Sequence, residues 1–165
     1  VREAIVALHT LGIVDMKHGK GVYVVSPTTV LDDMFRTRRE LESLMARQAA
    51  TVISAEGLDR MHSHVTAMQR AAERGDVTAY SEHDGPFHRV MFAESGFAIM
   101  GTVVDFLKSG VFTPEGYKHD EVARDPHYFV ESNKGHWAIY RAMESRDPAS
   151  ADAAIHAHLD RVYAV

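Results

Sequence analysis

The chain contains no cysteine among its 165 residues. Disulfide bonds and thiolate metal ligands are therefore excluded, and the reducing cytoplasm is the expected location. No apolar run approaches the roughly 18 residues that a membrane-spanning helix needs, so we expect no membrane partner. The first residue, Val1, is not Met and already belongs to a helical pattern. We therefore expect an N-terminal part of the protein to be missing.

The composition that remains is that of an ordinary globular protein, with 45% hydrophobic and 25% charged residues. A net charge of -5 argues against a surface devoted entirely to nucleic acid. Eleven histidines are a high number for this length. Because there is no thiolate, any transition-metal site must be built from histidine and carboxylate ligands.

The apolar pattern divides the chain into a short mixed segment and a long helical one. Residues 1–25 show one helical repeat and then two short β runs around a glycine-containing turn, which predicts a hairpin. Residues 26–29 form a polar linker, and residues 30–165 show helical spacing without a strand signal. We predict an all-α fold, an antiparallel bundle of about six helices, preceded by one helix and a hairpin. The expected bundle helices are 30–53, 55–74, 77–94, 97–109, 126–145 and 148–164.

The segment HDGPFHRVMF, residues 83–92, carries a candidate metal-binding pair. Asp84 and His88 are four residues apart, so a helix places the carboxylate and the imidazole on one face, next to the buried side marked by Phe87. Between them, Gly85 and Pro86 are poor helix formers. A bend at this point would either swing His88 toward an ion or only accommodate a neighbouring helix, and the sequence leaves both interpretations open.

Two further histidines lie on the apolar faces of later helices. His136 is in line with Ile139, and His158 borders Leu159, whereas His156 is expected to be exposed. Asp84, His88, His136 and His158 would together form a site for a divalent ion, with Zn²⁺ as first choice and Ni²⁺ or Mn²⁺ as alternatives. The alternative is a set of core histidines hydrogen-bonded to neighbouring carboxylates.

Four segments in order resemble a known family. They are VREAIVALHTLGIVDMKHGKGVYVV, RTRRELESLMARQAA, ERGDVTAYSEHDGPFHRVMFAESG and HWAIYRAMESRDPASADAAIHAHLDRV. Together they resemble the GntR-type transcription regulators of the FadR subfamily, which carry an FCD ligand-binding domain. The resemblance implies that residues 1–25 are the C-terminal part of a winged helix-turn-helix and that residues 30–165 bind an effector and dimerise. It also implies the same four metal ligands that the helix faces select.

The resemblance further implies an effector site beside the metal. Arg38 matches an arginine that holds a small organic acid in such domains, although it could instead form an intrahelical pair with Glu42, worth only about 0.3–0.5 kcal/mol at a surface. We also predict that Asn133 and Tyr140 contact the effector. Both residues lie on the helix that carries His136.

For DNA, the resemblance places Arg2 where a guanidinium reads bases in the major groove. His18 and Gly19 would lie at the tip of the wing, with Lys17 and Lys20 near phosphates. The predicted function is a homodimeric, ligand-responsive transcription regulator, not an enzyme, that binds operator DNA, a divalent ion and a small carboxylate. The alternatives are a metal-dependent enzyme using the same histidine and aspartate site, and a helical dimerisation module without a ligand.

Overall fold

The structure is a computed structural model that describes the backbone of residues 2–10, 12–24, 27–108 and 126–163. Within these ranges the chain forms a two-stranded sheet and seven helices. In chain order the elements are α1 (Arg2–Thr10), β1 (Val14–Lys17), β2 (Gly21–Val24), α2 (Pro27–Val52), α3 (Ala55–Arg74), α4 (Val77–Glu94), α5 (Ala98–Lys108), α6 (Pro126–Glu144) and α7 (Pro148–Tyr163). The predicted fold class, a helical bundle preceded by a helix and a hairpin, is confirmed.

The N-terminal module consists of α1 and the β1–β2 hairpin. The strands are antiparallel, with Val14 opposite Val24 and Lys17 opposite Gly21. The turn between them closes through a hydrogen bond from the Lys20 amide to the Lys17 carbonyl, at 2.9 Å. Gly19 has φ of +71°, a left-handed conformation that glycine adopts without steric cost and that this turn requires.

Local signals account for where the bundle helices begin and end. The Ser54 hydroxyl accepts a hydrogen bond from the Gly57 amide at the start of α3, and Gly75 ends that helix with φ of +67°. Asp76 caps α4, and Asp147 caps α7 by accepting from the amides of residues 149 and 150. The predicted cap at Asp125 lies outside the described residues.

The starts of two helices differ from the sequence prediction. Helix α2 begins at Pro27, three residues earlier than expected, so most of the predicted linker is helical. The physical reason is that proline suits the first turn of a helix, where its missing amide hydrogen is not needed. Helix α5 begins at Ala98 and not at Phe97. The division of the chain into domains remains a prediction.

The bundle core forms where α3 packs against α4 and α6, and α7 packs against α2 and α6. Its side chains come from the apolar stripe of each helix. The largest fully buried ones are Met45, Ile53, Met61, Met68, Phe87, Met91, Ile139, Met143, Ile155 and Leu159. Across the ranges that the structure describes, no helix combines the length and the apolar character needed to cross a membrane.

Candidate metal centre

Three helices bring three buried histidines together. His88 on α4, His136 on α6 and His158 on α7 are 2%, 0% and 4% exposed. One ring nitrogen from each lies within 4.8 Å of the corresponding nitrogens of the other two. Nε2 of His88 is 3.2 Å from Nε2 of His136, and the His136 and His158 ring centroids are 4.3 Å apart. The cluster therefore consists of the three histidines that the helix faces select.

Asp84 joins this cluster from one turn earlier on α4. Its Oδ1 lies 3.0 Å from Nε2 of His136, and about a third of its side chain is exposed. Its Oδ2 is 3.8 Å from the Lys108 amine at the end of α5. Burial raises the pKa of the Asp84 carboxyl, but the hydrogen bond to His136 and the nearby positive charges outweigh burial and hold it well below its usual range. The carboxylate is thus ionised beside the imidazoles.

The Nδ1 atoms of the three histidines differ in their surroundings. Nδ1 of His136 is 3.1 Å from the Tyr80 hydroxyl, and Nδ1 of His88 is 3.4 Å from Oε2 of Glu42. Nδ1 of His158 has no hydrogen-bond partner among the described residues. It lies against α6 at Gly135, where an added Cβ would be only 2.6 Å away. The glycine therefore provides the space that the His158 ring occupies.

The protonation of His136 and His158 suits metal binding. Burial lowers the pKa of His136, although Asp84 acts in the opposite direction. Burial and the neighbouring histidines lower the pKa of His158 well below its usual value. Neutral imidazoles offer lone pairs, and three of them with a carboxylate are a usual donor set for Zn²⁺. Two nitrogens on one tetrahedral zinc ion lie about 3.4 Å apart, close to the spacing of the His88 and His136 nitrogens.

Glu42 is a site residue that the sequence prediction missed. It is fully buried on α2, and its Oε1 accepts from Nε of Arg38 at 3.1 Å. Burial would raise the pKa of the Glu42 carboxyl, but the contact with His88 and the nearby positive charges lower it to about 2. The intrahelical pair with Arg38, which the sequence offers as an alternative, is present. The surface value of about 0.3–0.5 kcal/mol does not apply to it, because breaking a buried pair costs about 3–5 kcal/mol.

A signal for Glu42 is present in the sequence. Met45, Ala46 and Ala49 follow it at i+3, i+4 and i+7, and all three are buried. A glutamate in line with such a stripe faces the interior of a bundle. Lys108, which contacts Asp84, has no such signal, because its place at the site depends on how α5 packs against α4.

Asn133 and Tyr140 contact α3. Both are buried, and the Asn133 amide donates to the Val65 carbonyl at 3.5 Å. The Tyr140 hydroxyl donates to Glu144 at 3.0 Å, and its ring lies 5.4 Å from that of His62 on α3. The structure therefore does not bring their polar groups together with the histidine cluster, and their role in effector binding remains a prediction.

Two surface cavities of the bundle lie away from the histidines. One of about 410 Å³ lies between α2 and α7 beside Arg39 and Asp160, and one of about 180 Å³ lies between α3 and α6 beside Asn133. His156 is also outside the cluster, since its Nδ1 lies 3.6 Å from the Asp152 carboxylate. Its side chain is 24% exposed, so it is half-buried and not exposed as predicted.

The predicted DNA-contacting residues are all exposed in the N-terminal module. Arg2 lies at the start of α1, and the hairpin turn carries His18, Gly19 and Lys20. Lys17 precedes the turn, with its amine 3.9 Å from the Asp15 carboxylate. The exposed basic turn is consistent with a wing, but its contact with DNA remains a prediction.

Within the described residues, a helix–hairpin module precedes a bundle of six helices that holds a buried histidine cluster. Comparison with known proteins gives the family to which this architecture belongs. The FCD domain family matches residues 33–161, and the chain belongs to this family. The family and its similar relatives are transcription regulators and not enzymes.

Two relatives illustrate the similarity in sequence. The HTH-type transcriptional repressor RspR of Escherichia coli K12 is 24% identical over 164 residues, which cover 98% of this chain and 70% of that protein. The HTH-type transcriptional repressor NanR of Cronobacter sakazakii is 26% identical over 190 residues, with 99% and 69% covered. Both relatives are HTH-type transcriptional repressors, and this chain is similar to each of them over nearly its whole length.

Solved structures support the fold. Escherichia coli McbR/YncC is similar with a TM-score of 0.76 at 18% identity, over 99% of this chain and 81% of that one. Streptococcus agalactiae GntR is similar with a TM-score of 0.67 at 22% identity, over 99% and 80%.

Proposed function

We propose that this regulator senses a small organic acid through a divalent metal ion held in its helical bundle. Asp84, His88, His136 and His158 would be the ligands, and Zn²⁺ is the first choice. The ion would supply positive charge and open coordination positions for the carboxylate of the effector. Two copies of the chain would form a dimer whose DNA-binding heads contact operator DNA.

The observation that carries this proposal is the convergence of three buried imidazoles from three helices. Burying several polar rings side by side costs free energy unless each is satisfied. Here the His158 Nδ1 atom has no hydrogen-bond partner among the described residues, and two Nε2 atoms stand 3.2 Å apart. A shared cation would use the lone pairs of all three rings. The bundle thus has a donor set that suits a metal ion better than it suits mutual hydrogen bonding.

The charges around the cluster support an acidic effector. The carboxylates of Asp84 and Glu42 are offset by the side chains of Lys108 and Arg38. A divalent ion added to this balanced set leaves a net positive site, which favours an anion. Arg38 uses Nε and Nη2 on Glu42, while its Nη1 makes no hydrogen bond to the described residues. A guanidinium with an uncommitted nitrogen is well suited to a carboxylate.

The metal is tested by elemental analysis of protein purified without added metal and then loaded with Zn²⁺. We expect about one ion per chain, lost in His88→Ala and His136→Ala. The last helix offers a matched pair, since His158→Ala should lose the ion whereas His156→Ala should retain it. If His156→Ala abolishes binding and His158→Ala does not, the assigned ligand set is wrong.

The effector is tested by calorimetry on the zinc-loaded protein with a panel of hydroxy, keto and sugar acids. We expect one acid class to bind the loaded protein and not the metal-free protein. Operator binding by the intact regulator should then change on adding that acid. If the zinc-loaded protein binds none of the acids, the proposed effector binding is wrong, and the bundle is better described as a metal-stabilised dimerisation module.

A further inference from the structure

Glu42 is a fully buried carboxylate whose two oxygens face different partners. Oε1 lies 3.1 Å from both Nε and Nη2 of Arg38. Oε2 has no hydrogen bond of normal length and lies 3.4 Å from Nδ1 of His88, which itself has no other partner among the described residues. The arginine anchors one oxygen, so the second oxygen is directed at the imidazole.

This arrangement bears on which nitrogen of His88 carries the proton. A neutral imidazole has one N–H, and its position is set by the hydrogen bond that the other nitrogen makes. An ionised carboxylate only accepts, so Oε2 favours the form with hydrogen on Nδ1. Nε2 is then left with its lone pair, and this is the atom that lies 3.2 Å from His136 in the cluster.

We propose that Glu42 is a positioning residue of the metal centre, which orients His88 and holds it in the tautomer that presents Nε2 to the ion. This inference rests on the proposed function, because it assumes that the histidines bind a metal. Glu42 would be the outer partner of the metal ligand His88, in a carboxylate–histidine–metal arrangement. Mutating such an outer partner typically weakens metal binding by about 10–100-fold.

Glu42→Gln is a sharp test because Arg38 fixes the orientation of the amide. Arg38 offers only donors, so the Gln oxygen must face it and the NH₂ group must face His88. That NH₂ group donates to Nδ1 and therefore shifts the proton of His88 to Nε2. Glu40→Gln is the matched control on the same helix, since the Glu40 side chain is 72% exposed.

Two measurements are made on each variant. Competition with a chromogenic chelator gives the Zn²⁺ affinity, and nitrogen NMR of the imidazoles gives the tautomer of His88 in metal-free protein. We expect Zn²⁺ to bind about 10–100-fold more weakly to Glu42→Gln, with the His88 proton moved to Nε2. Glu40→Gln should match the wild type in both. If Glu42 had only a structural role, Glu42→Gln would lower the melting temperature without changing the tautomer of His88.

The possible outcomes separate this inference from the proposed function. If wild type binds Zn²⁺ but folded Glu42→Gln binds it equally well, Glu42 does not position the ligand, and the metal site stands. If His88→Ala and wild type bind Zn²⁺ equally weakly, the proposed metal function fails. The wild-type tautomer needs no variant, so it remains decisive if Glu42→Gln does not fold. A proton on Nε2 of His88 in metal-free wild type would overturn the inference.

Discussion

Gly135→Ala tests how closely helices α6 and α7 enclose His158. The added methyl group would lie 2.6 Å from Nδ1 and 3.3 Å from Cβ of that histidine. The ring is only 4% exposed, so it has little space into which it could move. Alanine stabilises a helix interior by about 1 kcal/mol relative to glycine. Overpacking a core costs about 1–3 kcal/mol. The net change is therefore a loss of about 0–2 kcal/mol in unfolding free energy, or up to about 8 °C in melting temperature.

Urea unfolding of the metal-free protein measures this loss, and zinc competition measures its effect on the site. Because His158 must shift, we expect Zn²⁺ affinity to fall by about tenfold, the lower end of the range for a misoriented ligand. Gly57→Ala is the control, since its Cβ would also come within 2.6 Å of a side chain, but that side chain is Glu94 at the C-terminal end of α4. It should leave zinc binding unchanged. A Gly135→Ala protein that gains the full helix stabilisation of about 1 kcal/mol and binds zinc normally would refute the reasoning.

Three other expectations concern pH, a buried hydroxyl and the effector. Burial lowers the pKa of His158, so at acidic pH the unfolded chain binds a proton that the native state does not. The metal-free protein should therefore lose stability as the pH falls below about 6.5. Thermal melts at a series of pH values measure this, and a melting temperature that stays constant down to about pH 5 would contradict it. Asp152→Ala leaves the buried Ser43 hydroxyl without its acceptor and should lower the unfolding free energy in urea by about 1–3 kcal/mol. The control Asp160→Ala removes an exposed ion pair and should lower it by about 0–1 kcal/mol. Equal losses would argue against a stabilising hydrogen bond from Ser43 to Asp152. The Arg38→Lys variant should still bind the metal, but calorimetry should show acid binding weakened by about 1–3 kcal/mol, because lysine cannot make two parallel hydrogen bonds to a carboxylate. An unchanged affinity for the acid would exclude Arg38 from the effector site.

Much of the fold could be predicted because the helices carry independent signals that agree. The caps at Ser54 and Asp76 and the stop at Gly75 set boundaries that the structure reproduces. The position of His158 next to Leu159 on the buried stripe, two residues from His156, was enough to separate the clustered histidine from the outer one. Helical periodicity therefore predicted which side chains face inward.

What periodicity cannot supply is the packing of one helix on another. Lys108 meets Asp84 only because the end of α5 reaches α4, and no spacing along the chain encodes that approach. Asn133 and Tyr140 show a second limit of periodicity. Both are buried on the helix that carries His136, but a helix in a bundle has more than one buried side, and their contacts are with α3. Facing inward is not the same as facing the site.

Glu42 shows how a correct pattern can still be misinterpreted. An arginine and a glutamate four residues apart usually form an exposed pair of little consequence. Here the glutamate is fully buried and the arginine side chain is 13% exposed, so the pair stands in the interior, where an uncompensated charge is costly. Arg38 compensates that charge on one oxygen, and His88 lies 3.4 Å from the other. A buried carboxylate directed at the outer nitrogen of a clustered histidine has a chemical consequence that an exposed pair lacks, because it favours one tautomer of that histidine.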